Sequence, residues 1–118
     1  MKKMTEEHLH NAYAGESQAH MKYLAFADAA EKEKFSNVAR LFRANSYAEQ
    51  VHATNHLRTL AGIGKTAQNL QAAVTGESFE VEEMYPAYIK VAENQGEKIA
   101  TTTFSWAMAA EEVHAGLY

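Results

Sequence analysis

Two pairs of side chains in this sequence have the types and spacing to do chemistry. Glu49 and His52 are three residues apart, and so are Glu111 and His114. On a helix, residues at that spacing share a face and meet one turn apart. Both pairs fall on the apolar side of their helical pattern, where a carboxylate and an imidazole are costly to bury without a partner. Two Glu-x-x-His pairs in one small chain therefore point to a shared metal site. Hard carboxylate oxygens and imidazole nitrogens suit iron or manganese, and zinc is also accommodated.

Four helices must position these groups. Helix A is expected from about Thr5 to Glu31, with Glu16 in its apolar stripe. A charged turn follows, and helix B runs from Ser36, read as its cap, to a stop at Gly62. At this length helix B is about 40 Å long. Residues 63–77 read as the longest connection, with a short helix over 68–74. Helix C is expected from Ser78 to Asn94, carrying Glu80 and Glu83 on one face and a kink at Pro86. Helix D runs from about Glu97 to the chain end, and its Thr101–Thr103 run is a weak helix former held by packing.

The halves repeat. Each reads as a helix with one inward Glu followed by a helix with Glu-x-x-His, and the spacings Glu16 to Glu49 and Glu80 to Glu111 are 33 and 31 residues. Two such hairpins side by side form a four-helix bundle of pseudo-twofold symmetry. A crossover along the bundle must then join B to C. Fifteen extended residues reach about 50 Å, so the span is reachable but tight. Exchange of the C–D hairpin between two chains is the open alternative.

Composition narrows the function classes. The chain has 118 residues, 47% of them apolar, with six glycines and one proline, which fits one all-α domain. A formal charge of −4 leaves no footprint for nucleic acid. Neither a signal peptide nor a membrane span is evident, so a cytoplasmic protein with no membrane partner is expected. With no cysteine there is no thiolate metal site, and any electrons for redox chemistry come from elsewhere.

The runs Ala14-Gly15-Glu16-Ser17-Gln18-Ala19, Glu49-Gln50-Val51-His52, Glu80-Val81-Glu82-Glu83-Met84-Tyr85-Pro86 and Glu111-Glu112-Val113-His114 resemble rubrerythrin. The likeness covers nearly the whole chain. It implies a ferritin-like four-helix bundle over residues 1–118 holding two iron ions. Metal ligands carried over by motif are Glu16, Glu49, His52, Glu80, Glu83, Glu111 and His114. Glu49 and Glu111 are the implied bridges. One iron is implied to move between Glu83 in the diferric form and His52 in the diferrous form, with Tyr23 and Tyr88 hydrogen-bonding near the site.

The implied activity is reduction of hydrogen peroxide to water with electrons from an external donor such as a rubredoxin. A homodimer is expected. Ferroxidase activity or iron storage is the alternative, and a helical module with incidental metal is the third reading. Rubrerythrins commonly carry a C-terminal rubredoxin domain, and here the sequence stops at Tyr118. His20 and His56 read as buried, hydrogen-bonded histidines rather than ligands, and Trp106 and Met108 as core.

Overall fold

The computed structural model covers residues 1–118 and is helical almost throughout. Its helices are α1 (Lys3–Lys32), α2 (Ser36–Thr59), α3 (Thr66–Phe79), α4 (Tyr85–Asn94) and α5 (Lys98–Leu117). A single π turn, Glu80–Met84, joins α3 to α4, so these three pieces make one rod. The chain is thus four helical rods arranged as two compact units, residues 1–63 and 64–118.

Two features depart from the spacing-based expectation. The third rod begins at Thr66 rather than Ser78, and the predicted fifteen-residue crossover shrinks to the six residues between Thr59 and Thr66. Residues 66–79 carry Ala, Gln and Leu, good helix formers, and Gly76 does not break them. Pro86 sits in the first turn of α4, directly after the π turn. At that position the missing proline N–H falls in the first turn after the π turn, where a proline is tolerated.

In the first unit, α1 and α2 pack along small residues. Ala27 and Ala39 are fully buried, and Ser46 is 1% exposed. Small side chains on both helices let the backbones approach closely. Ser46 donates its hydroxyl to the His20 carbonyl at 2.9 Å, and His20 Nδ1 lies 2.9 Å from both the Ser46 carbonyl and Oγ. With the Ser46 proton spent on the carbonyl, His20 carries its proton on Nδ1 and shares it with Ser46. His20 is therefore the hydrogen-bonded histidine the sequence suggested, and it cross-links the two helices.

Each unit has an aromatic cluster. Tyr23, Phe26 and Phe42 stack at centroid distances of 5.5–6.3 Å, with Phe26 and Phe42 edge-on. Tyr85, Tyr88 and Phe104 repeat this at 5.7–6.3 Å. Both clusters lie within the range where ring quadrupoles favour tilted and edge-to-face contact.

Three helix ends close alike. Lys34, Ala61 and Gly96 adopt positive φ of 66°, 58° and 72°. The amide after each bonds back five residues: Phe35 to Ala30, Gly62 to Leu57 and Glu97 to Ala92. This is the Schellman arrangement, which satisfies the last carbonyls of a helix. Gly62 follows Ala61, and a Cβ there would collide with the side chain of Leu57.

Neither hairpin encloses a large core. Buried residues are alanines and Ser46, while Met21, Leu41, Ile99 and Val113 are exposed. Trp106, expected inside, is 72% exposed. The threonine run of α5 is held in part by its own hydroxyls: Thr101 and Thr102 each donate back four residues at 3.0 Å.

Candidate metal centre

The first unit gathers Glu16 from α1 with Glu49 and His52 from α2. His52 Nδ1 lies 3.3 Å from Glu49 Oε2 and 3.8 Å from Glu16 Oε2. The second unit repeats the group with Glu77 from α3 and Glu111 and His114 from α5. There His114 Nδ1 is 3.4 Å from both Glu77 Oε1 and Glu111 Oε2. In each group the carboxylates are mostly shielded, at 19–31% side-chain exposure, and the histidine is about half exposed.

These separations suit a cation. Two ligand atoms bonded at about 2.1 Å to one ion, at right or tetrahedral angles, stand about 3.0–3.4 Å apart. The shorter contacts above match that range. A further sign comes from Glu77, whose Oε2 is buried and has no hydrogen-bond partner. A buried carboxylate oxygen left unpaired is costly and calls for an ion or a proton. Burial, a shared hydrogen bond with Glu111 and the negative charges of Glu111 and Glu80 hold the Glu77 carboxyl above the ordinary glutamate value, only partly offset by His114. The donor set of two carboxylates and an imidazole therefore fits a divalent metal.

Spacing alone pairs Glu80 with His114; in the structure that place is taken by Glu77. Glu80 lies one turn on, close enough to Glu77 for its charge to be felt. Glu83 is exposed and belongs to neither group. The tyrosine beside the second group is Tyr85, whose hydroxyl is pushed up by burial and then by the charges of Glu80 and Glu111. Tyr88, expected in that role, is 48% exposed.

The π turn explains these shifts. It inserts one extra residue between Glu77 and Tyr85, so their separation of eight matches the seven between Glu16 and Tyr23. Past that insertion, Tyr88 corresponds to Phe26. Before it, Glu80 corresponds to Ala19. Glu80 is thus the carboxylate that breaks the pseudosymmetry, where spacing alone gave that place to Glu83. One signal for Glu77 was present in the sequence: Gly15-Glu16-Ser17 recurs as Gly76-Glu77-Ser78.

All-helical hairpins, each with one Glu facing a Glu-x-x-His, define the ferritin-like class of carboxylate-bridged two-metal proteins. The rubrerythrin family model matches residues 7–118, and the chain belongs to the rubrerythrin family. Rubrerythrin-2 of Clostridium acetobutylicum is 42% identical over 98% of this chain. Rubrerythrin of Porphyromonas gingivalis and nigerythrin of Nitratidesulfovibrio vulgaris are 36% and 38% identical over 97% of it. The chain spans 70%, 64% and 63% of those three relatives. A solved structure of nigerythrin in a mixed-valent state aligns over 97% of this chain at 36% identity and a TM-score of 0.48. No helix is long and apolar enough to cross a membrane.

Proposed function

We propose that this protein is a non-haem di-iron peroxidase that reduces hydrogen peroxide to water in oxidative-stress defence. The observation that carries this reading is the duplicated Glu-Glu-His group, with the unpaired buried oxygen of Glu77 in the second copy. Family membership supports it. The reaction takes up two electrons and two protons per peroxide; an external donor of the rubredoxin type restores the electrons, and the protons come from water.

Glu16, Glu49 and His52 would hold one ion, and Glu77, Glu111 and His114 the other. Glu49 and Glu111, the glutamates of the two Glu-x-x-His pairs, would be the carboxylates shared between the ions. Ferrous ions held by these residues would supply the two electrons needed to reduce the O–O bond. Manganese and zinc fit the same donors, but zinc has no redox couple and would supply no electrons. Glu80 is the added carboxylate, and it and His52 would be the two side chains that alternate in holding one ion as its redox state changes. That role passes from Glu83 to Glu80 because Glu80 lies beside the second group. Burial, then the charges of Glu80 and Glu111, favour the protonated form of Tyr85.

The test is anaerobic stopped-flow oxidation of the iron-loaded protein. Oxidation by peroxide should outpace oxidation by air-level dioxygen by at least about 100-fold, as expected where a site assists one reaction specifically. Faster reaction with dioxygen would favour ferroxidase or iron-storage work instead.

A further inference from the structure

We propose that the outer face of α5 is a self-association surface, on which a second copy of this chain lays its own α5 antiparallel across a twofold axis. The inference does not depend on the metal or on the activity above. It starts from a stripe of residues that the Glu-Glu-His group does not use.

Ile99, Trp106, Val113 and Leu117 are between 62% and 86% exposed. The first three recur every seven residues, the repeat that keeps one seam of a helix turned toward another helix. Thr102, Thr103, Ala109 and Ala110 lie between them and are exposed as well. No charged residue occurs from Ile99 to Ala110. A helix whose outer face meets only water ordinarily carries charged and polar side chains there.

This stripe is turned away from the rest of the second unit. At about 100° per residue, its four large side chains lie about 120–160° round the helix from Glu111. Phe104, which stacks on Tyr85 and Tyr88, is on the Glu111 side. A group that approaches Glu111 to share its metal therefore leaves the stripe open.

The order of side-chain sizes identifies the occupant. Two antiparallel copies of α5 aligned at Met108 put Ile99 opposite Leu117, Thr103 opposite Val113 and Trp106 opposite Ala110 of the second copy. Each pairing occurs twice, as a twofold interface requires. The largest side chain meets one of the smallest, and apolar pairs close both ends. A parallel pair would instead set Trp106 on Trp106 and Ala110 on Ala110, crowding one layer and leaving a gap in the next. The small residues of the stripe let the two helices approach closely. Its four large side chains expose about 600 Å² together, so two copies would bury about 1,200 Å², the lower end of the range for specific interfaces.

The chain itself supplies the probe, because Trp106 is its only tryptophan. The test variant is Thr103→Glu, which sets a carboxylate opposite Val113 of the second copy. Glutamate forms helix better than threonine, so α5 itself is not weakened. The full-length variant should have half the particle mass of the parent by light scattering. Its tryptophan emission should move to longer wavelength as Trp106 becomes wet. Equal mass in variant and parent overturns the proposal. An emission shift without a change in mass does so too, since it would place the cover of Trp106 within one chain.

Cross-linking tests the register independently. The chain has no cysteine of its own. A variant with both Thr103→Cys and Val113→Cys should form a covalent dimer when oxidised with diamide, because each new thiol faces its counterpart on the second copy. The two sites are about 15 Å apart along one helix, too far to bridge within a chain. Either substitution alone should give no covalent dimer. A covalent dimer from a single substitution, or none from the double variant, overturns the antiparallel pairing.

Discussion

Tyr85 repeats Tyr23 one residue late. Tyr23 lies 5.9 Å from Phe42, and Tyr85 lies 6.1 Å from Phe104, ring centroid to ring centroid. Phe42 and Phe104 each precede their Glu-x-x-His glutamate by seven residues, so the second rods of the two hairpins keep one register. Only the third rod carries an insertion, at Glu80–Met84. The extra residue sits between the Glu77 group and Tyr85, where π turns are often retained for function.

Glu77 and Glu83 should separate cleanly under mutation. Glu77→Ala removes a carboxylate from the second group and should weaken metal binding there by about 10- to 100-fold or more, a loss already typical of residues that only support ligands. Glu83→Ala should leave metal content at the parent level. Metal analysis after desalting reads both. The reverse pattern would restore the ligand set suggested by spacing alone.

Glu80→Ala should behave differently from either. Both Glu-Glu-His groups stay whole, so two ions should still bind. Steady-state peroxide turnover should fall by about tenfold or more, the scale of one lost charge-assisted interaction in the reacting state. Turnover equal to the parent's would remove Glu80 from the ligand exchange.

Glu77 also makes a prediction about pH. In the metal-free fold its carboxyl is held above the ordinary 4.5 by burial and by Glu111, so the folded state keeps this proton more tightly than the unfolded chain. Stability should then fall as pH rises through and above that value, because folding must oppose ionisation. Glu77→Gln removes the ionisation, so the metal-free variant should melt higher than the parent at pH 7 and lose that part of the slope. Differential scanning calorimetry of both proteins from pH 4 to 8 measures it. Parallel curves would show that Glu77 is not strained in the metal-free state.

Ser46→Ala should destabilise the first hairpin by about 0.5–1.5 kcal/mol, since it removes the hydroxyl that links α2 to the His20 carbonyl across the helix pair. Urea unfolding at fixed metal content checks this. An unchanged midpoint would mean that this inter-helix hydrogen bond adds no net stability.

Much of this was readable from residue types. Glu16, Glu49, His52, Glu111 and His114 are found where helical periodicity puts them, because regular α-helix carries a three-residue spacing into one turn without error. The third rod was misread where that regularity fails. Gly76 reads as a breaker, yet flanking helix formers carry the rod through it. Counting from Glu80 in steps of 3.6 then selects Glu83 and Tyr88, whereas the π turn shifts the register by one. A π turn has no strong side-chain signature, although Pro86 just beyond it is a hint that the hydrogen-bond ladder changes there.

The most direct test of the two-metal centre is the iron stoichiometry of the intact chain. Anaerobic titration with ferrous iron, followed by desalting and metal analysis, should plateau at two ions per chain. A plateau at one ion per chain, or none retained, would contradict it.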